Sequence, residues 1–426
     1  HVLVHAKMAI FRLHGGKAYF PKLLDEILHI KSHGIELKTL VFPGTDEWDL
    51  ELASYNDYPE SISRTFFDYF REGGLNNYQH ASEALESLLD NLNQPFADVE
   101  QNPSFGWYRS RDSIKPETSC GRVWITFYRA WQQTGDLEVI NHLMSELSGL
   151  GLEVSAFYAY SLREPEAQRA LLDRAESEPP DVILTLQSFS IGQMDERVSF
   201  LENLGCPVLQ VITSTENREA WLTNPRGLNP SNVAMSVALP ETDGRVLSTV
   251  VGFKEINQHH EELEYQAKAM APDKKQIRHV AGLTKKWTAL RTTPNSEKRI
   301  AIILANYPNR DSRIGNGVGL DTPESVIRFL RKMDADGYEV GTIPENGDEL
   351  IRMLQFGVTN DEEQSYGKPV HQSFSQESLK RKIDELPETV REKMTKQWEK
   401  HLPVYEMDKG IPVSGWQLGR IFIGIQ

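Results

Sequence analysis

The stretch Asn306-Tyr307-Pro308-Asn309-Arg310-Asp311-Ser312-Arg313-Ile314-Gly315-Asn316-Gly317-Val318-Gly319-Leu320-Asp321-Thr322-Pro323 gathers more chemistry than any other segment of the chain. Its alternating glycines free the backbone for close approach to a ligand, and the helix that follows presents unpaired N–H groups suited to an anion. Arg313 can grip a carboxylate with two parallel hydrogen bonds, while Asn306 and Asn316 add directional donors. Asp321 fits an N-cap ahead of Pro323 in the first helical turn. The plainer reading is a long glycine-rich connection, but polar loops of this length without secondary structure of their own are more often functional. No Gly-x-x-x-x-Gly-Lys-Ser/Thr occurs in the chain, so ATP chemistry would have to come from a partner.

Thr213-Ser214-Thr215-Glu216-Asn217-Arg218-Glu219-Ala220-Trp221 forms a second cluster just past an apolar strand, followed by Arg226-Gly227-Leu228. The spacing puts Glu216 and Glu219 on one helical face, where a closed site would raise one of them into a proton acceptor. Acids in a first turn also simply complement the positive end of the helix. Arg129, at the end of the Val123 strand, is a third residue at a strand's carboxyl end. His29 and His33, four apart on a helix, have metal-ligand spacing, yet cations at a helix C-terminus are the simpler reading, and no metal ligands are assigned. His259-His260-Glu261-Glu262 reads as a solvated run. Trp107-Tyr108-Arg109-Ser110-Arg111 interleaves aromatic and basic groups as single-stranded nucleic-acid binders do, but a packed interdomain aromatic cluster suits an acidic chain better.

The elements that must position these groups alternate between strand and helix. Ala9–Leu13 and Leu37–Phe42 read as strands around a helix opened by Pro21, a βαβ unit over residues 1–59. Residues 60–119 read as a helical, turn-rich connector. Val123–Phe127, Glu153–Tyr158, Asp181–Leu186 and Pro207–Ile212 are strands of a Rossmann-like or flavodoxin-like domain over 120–254, with Asp136 as an expected N-cap of the helix after the first strand. Residues 255–298 read as a polar helical linker. A third α/β unit over 299–426 opens with the strand Arg299–Leu304, carries the crest loop, and includes a helix pair broken at Pro387. The fold class expected is α/β, with several open parallel-sheet units joined by helical connectors.

With 426 residues, 39% hydrophobic and 25% charged, the chain has the composition of a multidomain globular protein. Its net charge of −15 disfavours nucleic acid and anionic membranes as partners. Two cysteines, Cys120 and Cys206, exclude a disulfide framework and point to a reducing, cytoplasmic setting. No apolar run is long enough for a membrane span. No signal peptide is legible, and both abrupt ends read as those of a piece of a longer chain.

An ordered set of segments resembles the family of cobaltochelatase large subunits and magnesium chelatase H subunits. It comprises Phe11-Arg12-Leu13-His14-Gly15-Gly16-Lys17-Ala18-Tyr19-Phe20, Val41-Phe42-Pro43-Gly44, Phe127-Tyr128-Arg129-Ala130, Val208-Leu209-Gln210-Val211, Arg218-Glu219-Ala220-Trp221, Arg226-Gly227-Leu228-Asn229-Pro230, Leu239-Pro240-Glu241-Thr242-Asp243-Gly244-Arg245 and the 306–323 loop. The wording Arg313-Ile314-Gly315-Asn316 and Gly319-Leu320-Asp321-Thr322-Pro323 is nearer the cobalt branch. The resemblance implies a tetrapyrrole-binding subunit that inserts Co²⁺, as substrate metal, into the corrinoid hydrogenobyrinic acid a,c-diamide on the route to cobalamin. It implies as partners an AAA+ ATPase subunit, which uses ATP and Mg²⁺, and an adaptor subunit. On this basis Arg129, Arg218, Arg245, Asn306, Arg313 and Asn316 are expected to grip substrate, and Glu216 or Asp321 to handle a proton or metal. The family's chains run far beyond the point matching Gln426, so this piece is expected to bind without necessarily catalysing. The alternatives are a magnesium-chelatase-type porphyrin subunit and a non-catalytic small-molecule-binding protein with a hinge.

Overall fold

Short apolar runs become parallel strands, with amphipathic helices between them, in a computed structural model that describes residues 3–90, 92, 94–109, 119–192, 200–261, 265–365, 367–398 and 410–426. The chain divides into two units, His1–Ala289 and Leu290–Gln426. Ser110, Arg111 and Glu262, singled out above, lie outside the described residues.

In the first unit, β1 (Met8–Leu13) and β2 (Lys38–Pro43) pair in parallel, as the βαβ reading requires. The helix between them, Pro21–Ser32, buries Leu24, Ile27 and Ile30, while Leu28, expected on the apolar face at i+4 from Leu24, is exposed. His29 and His33 stand exposed at its end, and among the described residues no group of three metal-ligating side chains forms anywhere. Helices Glu60–Glu72 and Leu75–Leu89 follow.

The main sheet is built from β3 (Phe105–Tyr108), β4 (Arg122–Tyr128), β5 (Glu153–Ala159), β6 (Val182–Thr185), β7 (Val208–Ser214), β8 (Val246–His260) and β9 (Tyr265–Pro272). Its order is β3-β5-β4-β6-β7-β8-β9. Strands β4 to β8 are parallel, and the outer strands β3 and β9 run antiparallel to their neighbours. Taken alone, the five parallel strands have the flavodoxin-like order, which reverses direction between β4 and β6. Helices Glu138–Gly149 and Lys274–Thr292 cover one face, and helices Pro165–Ser177 and Phe200–Asn203 the other.

Several expectations need correction. Residues 255–298 are not a helical linker: they complete β8, turn back as β9, and enter helix Lys274–Thr292, which seals the core with Ile277, Val280 and Ala281. The strand ends read as linker because the hairpin outgrows the sheet and is exposed from Ile256 to His260. Asp136 does not cap its helix, whose N-cap is Leu137. Its carboxylate instead accepts hydrogen bonds from Lys254 Nζ (3.0 Å) and Met270 N (2.8 Å), clasping the β8–β9 hairpin. Trp107 belongs to the connector expected over 60–119, but it sits in sheet strand β3. Its ring packs 5.1 Å from Trp124, under the Arg174 guanidinium, so the aromatic cluster lies within one sheet rather than between domains.

In the second unit, β10 (Ile300–Leu304) leads into the crest loop, which carries the small ribbon β11 (Asn316–Gly317) and β12 (Leu320–Asp321). Helices Thr322–Ala335 and Gly347–Phe356 follow, then β13 (Ser373–Phe374), helices Gln376–Asp384 and Glu388–Trp398, and β14 (Ile411–Pro412). Strands β15 (Gly415–Leu418) and β16 (Ile421–Ile425) form a hairpin, with β16 parallel to β10. Gly419 turns that hairpin with a left-handed φ of 52°, and a Cβ there would meet Glu339 O at 2.6 Å. Ile327, Leu330, Leu350, Ile421 and Ile423 form the core.

Candidate functional site: a crest pocket at the strand-order reversal

Where β4 and β6 diverge, a crevice opens at the carboxyl ends of the strands, the position at which open α/β sheets hold ligands. Here it is a cavity of about 420 Å³. Tyr128 comes from the end of β4, Tyr160 to Arg163 from the loop after β5, and Gln187 to Ile191 from the loop after β6, with Leu239 at the rim. The walls are apolar and aromatic, and Ser188, Ser190 and Arg163 supply polar groups. Arg163 donates through Nε to Ser190 O (2.8 Å).

Gln187 fixes the floor. Its amide donates to Phe127 O (2.9 Å) and Ala159 O (3.0 Å) and accepts from Leu162 N (3.1 Å), tying together the ends of β4 and β5. Tyr128 Oη accepts from Ser188 N (2.9 Å), and burial pushes its phenol pKa up, so it stays a neutral donor. Phe189 takes a left-handed backbone, φ 67°, with its ring exposed. Such a conformation costs a non-glycine residue about 1–2 kcal/mol and needs anchoring.

The anchor is a buried ion pair. Arg245 donates to Gln187 O (2.9 Å), Gln210 Oε1 (2.8 Å), Phe189 O (2.9 Å) and Asp243 Oδ2 (2.7 Å), and its side chain has no exposure. Asp243 in turn accepts from Ser190 Oγ, Ile191 N and Gly192 N. Burial alone would raise the Asp243 carboxyl; these hydrogen bonds and the Arg245 charge outweigh it and hold the pKa below the usual value. Arg245 therefore shapes the pocket from beneath and is absent from its lining.

The other expected residues separate into groups already engaged and groups left open. Arg129 is buried, donating to Pro103 O (2.9 Å), Asn102 O (2.6 Å) and Glu72 Oε2 (3.2 Å), and so joins helix Glu60–Glu72 to the crest of β4. Arg218 pairs with Asp273 at 3.1 Å, in a separate shallow cleft beside Phe253 and Glu255. Glu216 precedes the helix Arg218–Thr223, whose N-cap is Asn217, so Glu216 and Glu219 do not share a helical face. Glu164, absent from the expectations, opens the helix beside the pocket loop. Burial raises its carboxyl, with the Arg129 charge opposing.

In the second unit the crest loop is anchored through Asp311, whose carboxylate accepts from Thr359 Oγ1 (2.5 Å) and Lys368 Nζ (2.6 Å). Asn306 is 1% exposed, and neither atom of its amide has a hydrogen-bond partner among the described residues. Arg313 and Asn316 are exposed, as are Val318 and Leu320 at the ribbon's turn. Among the described residues, nothing binds the Arg313 guanidinium. Asp321 is the N-cap, accepting from Glu324 N at 3.1 Å.

Residues 67–426 match the CobN/Magnesium Chelatase family. The chain belongs to that family. It is 33% identical to "Aerobic cobaltochelatase subunit CobN" of Pseudomonas aeruginosa, over 100% of this chain and 35% of that protein. It is 28% identical to the magnesium-chelatase H subunit of Chlorobaculum parvum, over 54% of this chain and 17% of that protein. The structure "Catalytic Subunit of Cobaltochelatase from Mycobacterium tuberculosis" superposes with a TM-score of 0.72 at 25% identity, covering 100% of this chain and 35% of that one. The chain thus spans about a third of the length of these cobaltochelatase relatives. Among the described residues, no helix is long and apolar enough to cross a membrane.

Tyr128 and Arg129 stand inside a segment that carried the family resemblance, yet the pocket itself was not legible. Its lining comes from three loops distant in sequence, and Gln187 and Phe189 carry no motif. The left-handed Phe189 has no signal in residue type, because only glycine and asparagine advertise that conformation.

Proposed function

We propose that this chain is a tetrapyrrole-binding portion of a cobaltochelatase large subunit, acting on the corrinoid hydrogenobyrinic acid a,c-diamide with Co²⁺ as substrate metal in cobalamin biosynthesis. The observation that carries this reading is similarity to a CobN subunit along the whole chain at 33% identity, where magnesium chelatase H relatives match 54% of it at 28% identity and 75% of it at 24%. A cytoplasmic AAA+ ATPase with its adaptor would supply ATP hydrolysis, with Mg²⁺ bound to the nucleotide.

Metal insertion requires water to leave the ion and protons to leave the ring nitrogens. The crest pocket, at about 420 Å³, suits a ring edge with a carboxylate arm rather than a whole macrocycle. In this reading Tyr128 and Phe189 pack against the ring edge and Arg163 meets a peripheral carboxylate. Glu164, which is the N-cap residue of the helix beside the pocket loop and whose carboxyl burial raises, is the proton acceptor in this reading. Taken by itself, the second unit offers Arg313 and Asn316 as donors for a carboxylate, and Asn306 keeps a buried, unpartnered amide in the same loop. Arg129 and Arg245 position loops, Arg218 steadies the hairpin through Asp273, and Asp321 caps a helix.

The test is a spectroscopic titration of the purified chain with hydrogenobyrinic acid a,c-diamide and, separately, with a dicarboxylate porphyrin. Tight binding of the corrinoid alone is expected. Preference for the porphyrin would move the reading to the magnesium branch, and binding of neither would remove these residues from the tetrapyrrole site.

A further inference from the structure

Helix Lys274–Thr292 departs from the charge balance of the rest of the chain. It holds six of the 46 lysines and arginines and none of the 61 aspartates and glutamates. The charges are also sorted by face. At 100° per residue, Lys274, Lys275, Arg278, His279, Lys285 and Lys286 fall within a sector of about 140°, opposite the buried stripe of Ile277, Val280, Ala281, Thr284 and Thr288. All six are exposed.

Other helices neutralise their cations internally, as in Arg64–Glu60, Arg174–Glu178 and Lys332–Asp336. Among the described residues, no acid pairs with Lys274, Lys275, Arg278, Lys285 or Lys286. Like charges so placed on one face repel one another, a standing cost that an opposite surface would relieve.

We propose that this face is a docking site for an acidic segment of a partner protein. The basic row runs about 18 Å along the helix axis, room for several carboxylates of an extended peptide. A membrane does not fit, because the helix has committed its apolar face to the sheet core and cannot insert it. Single-stranded nucleic acid does not fit either. The face offers no exposed Trp, Tyr or Phe for stacking, since Trp287 packs against the core, and the chain's −15 charge repels a polyphosphate at longer range. A peptide in contact feels mainly the local field, within a screening length of about 8 Å. The CobN and magnesium-chelatase relatives carry the word "subunit" in their names, which is consistent with protein partners. None of the helix's residues lines the crest pocket, so this inference stands or falls apart from tetrapyrrole binding.

The experiment follows the anisotropy of a fluorescein-labelled poly-glutamate peptide with the intact chain at low and physiological ionic strength. The wild type is expected to bind, more weakly as salt rises. Replacing Lys274, Lys275, Arg278, Lys285 and Lys286 together by Gln should lower affinity more than tenfold. Far-UV circular dichroism should stay unchanged, because Gln has a helix propensity close to that of Lys and Arg. A control, Arg328→Gln with Lys332→Gln, removes cations paired with Glu324 and Asp336 and should leave binding as it was. Equal loss in the control, no loss in the five-site variant, or tighter binding of an RNA of matched charge or of phosphatidylserine vesicles would each overturn the proposal.

Discussion

The loop after β6 and the loop after β10 occupy equivalent places, each leaving the carboxyl end of a parallel strand, yet they treat their polar groups in opposite ways. The first is held by Arg245 and Asp243 from the turn that leads into β8; both are buried and every contact they make is internal, so the loop is held in one shape with Phe189 in an unfavourable backbone. In the second, Arg313 stands exposed with its hydrogen bonds unspent among the described residues, and Asn306 is buried without a partner. The arginines that serve these two loops are thus not one kind of residue: one builds a site, and the other is free to fill one.

The largest effect should come from Asp243→Ala. Removing one partner of a buried pair typically costs about 3–5 kcal/mol, because the other charge is left uncompensated. Urea unfolding should show a loss of that size, and a loss below about 1 kcal/mol would mean that the pair does not hold the loop. Arg129→Ala, which takes one of two arginines from the buried Glu72 carboxylate and the guanidinium donor from two carbonyls, should cost about 1.5–3 kcal/mol, the range for hydrogen bonds to charged groups.

Acid should expose the same contrast. Because the folded state lowers the Asp243 pKa, its stabilisation is fully present above the usual aspartate value of about 3.9 and is lost as pH falls through the lower folded value. Thermal unfolding of Asp243→Asn, less stable at neutral pH, should therefore converge on the wild type below about pH 4. A constant difference across that window would remove Asp243 from the account.

Smallest of all, Arg313→Ala should change stability by no more than about 0.5 kcal/mol, as exposed substitutions do. The same variant should weaken corrinoid binding in the spectroscopic titration. Loss of stability without loss of binding would place Arg313 with Arg245 and erase the contrast between the two loops.

The parallel strands were legible because their apolar runs are short and bounded by glycine, proline or polar turns, and Asp321 because N-cap chemistry is local. The crest loop was legible for the same reason. Arg129 and Arg245 could be seen as special but not assigned, since Glu72 and Gln187 approach them only across 57 and 58 residues of chain. The β8–β9 hairpin was misread because strands that leave a sheet lose the alternation that marks them.

The Asp136 clasp bears on how long the folded sheet lasts. It reaches Lys254 across 118 residues and Met270 across 134, and contacts of such separation close only after long loops have been ordered. An interaction that forms after the rate-limiting step contributes to the unfolding barrier and hardly at all to the speed of folding. Asp136 is therefore a latch on lifetime: it slows the peeling of the hairpin edge from a sheet whose inner strands would assemble as quickly without it.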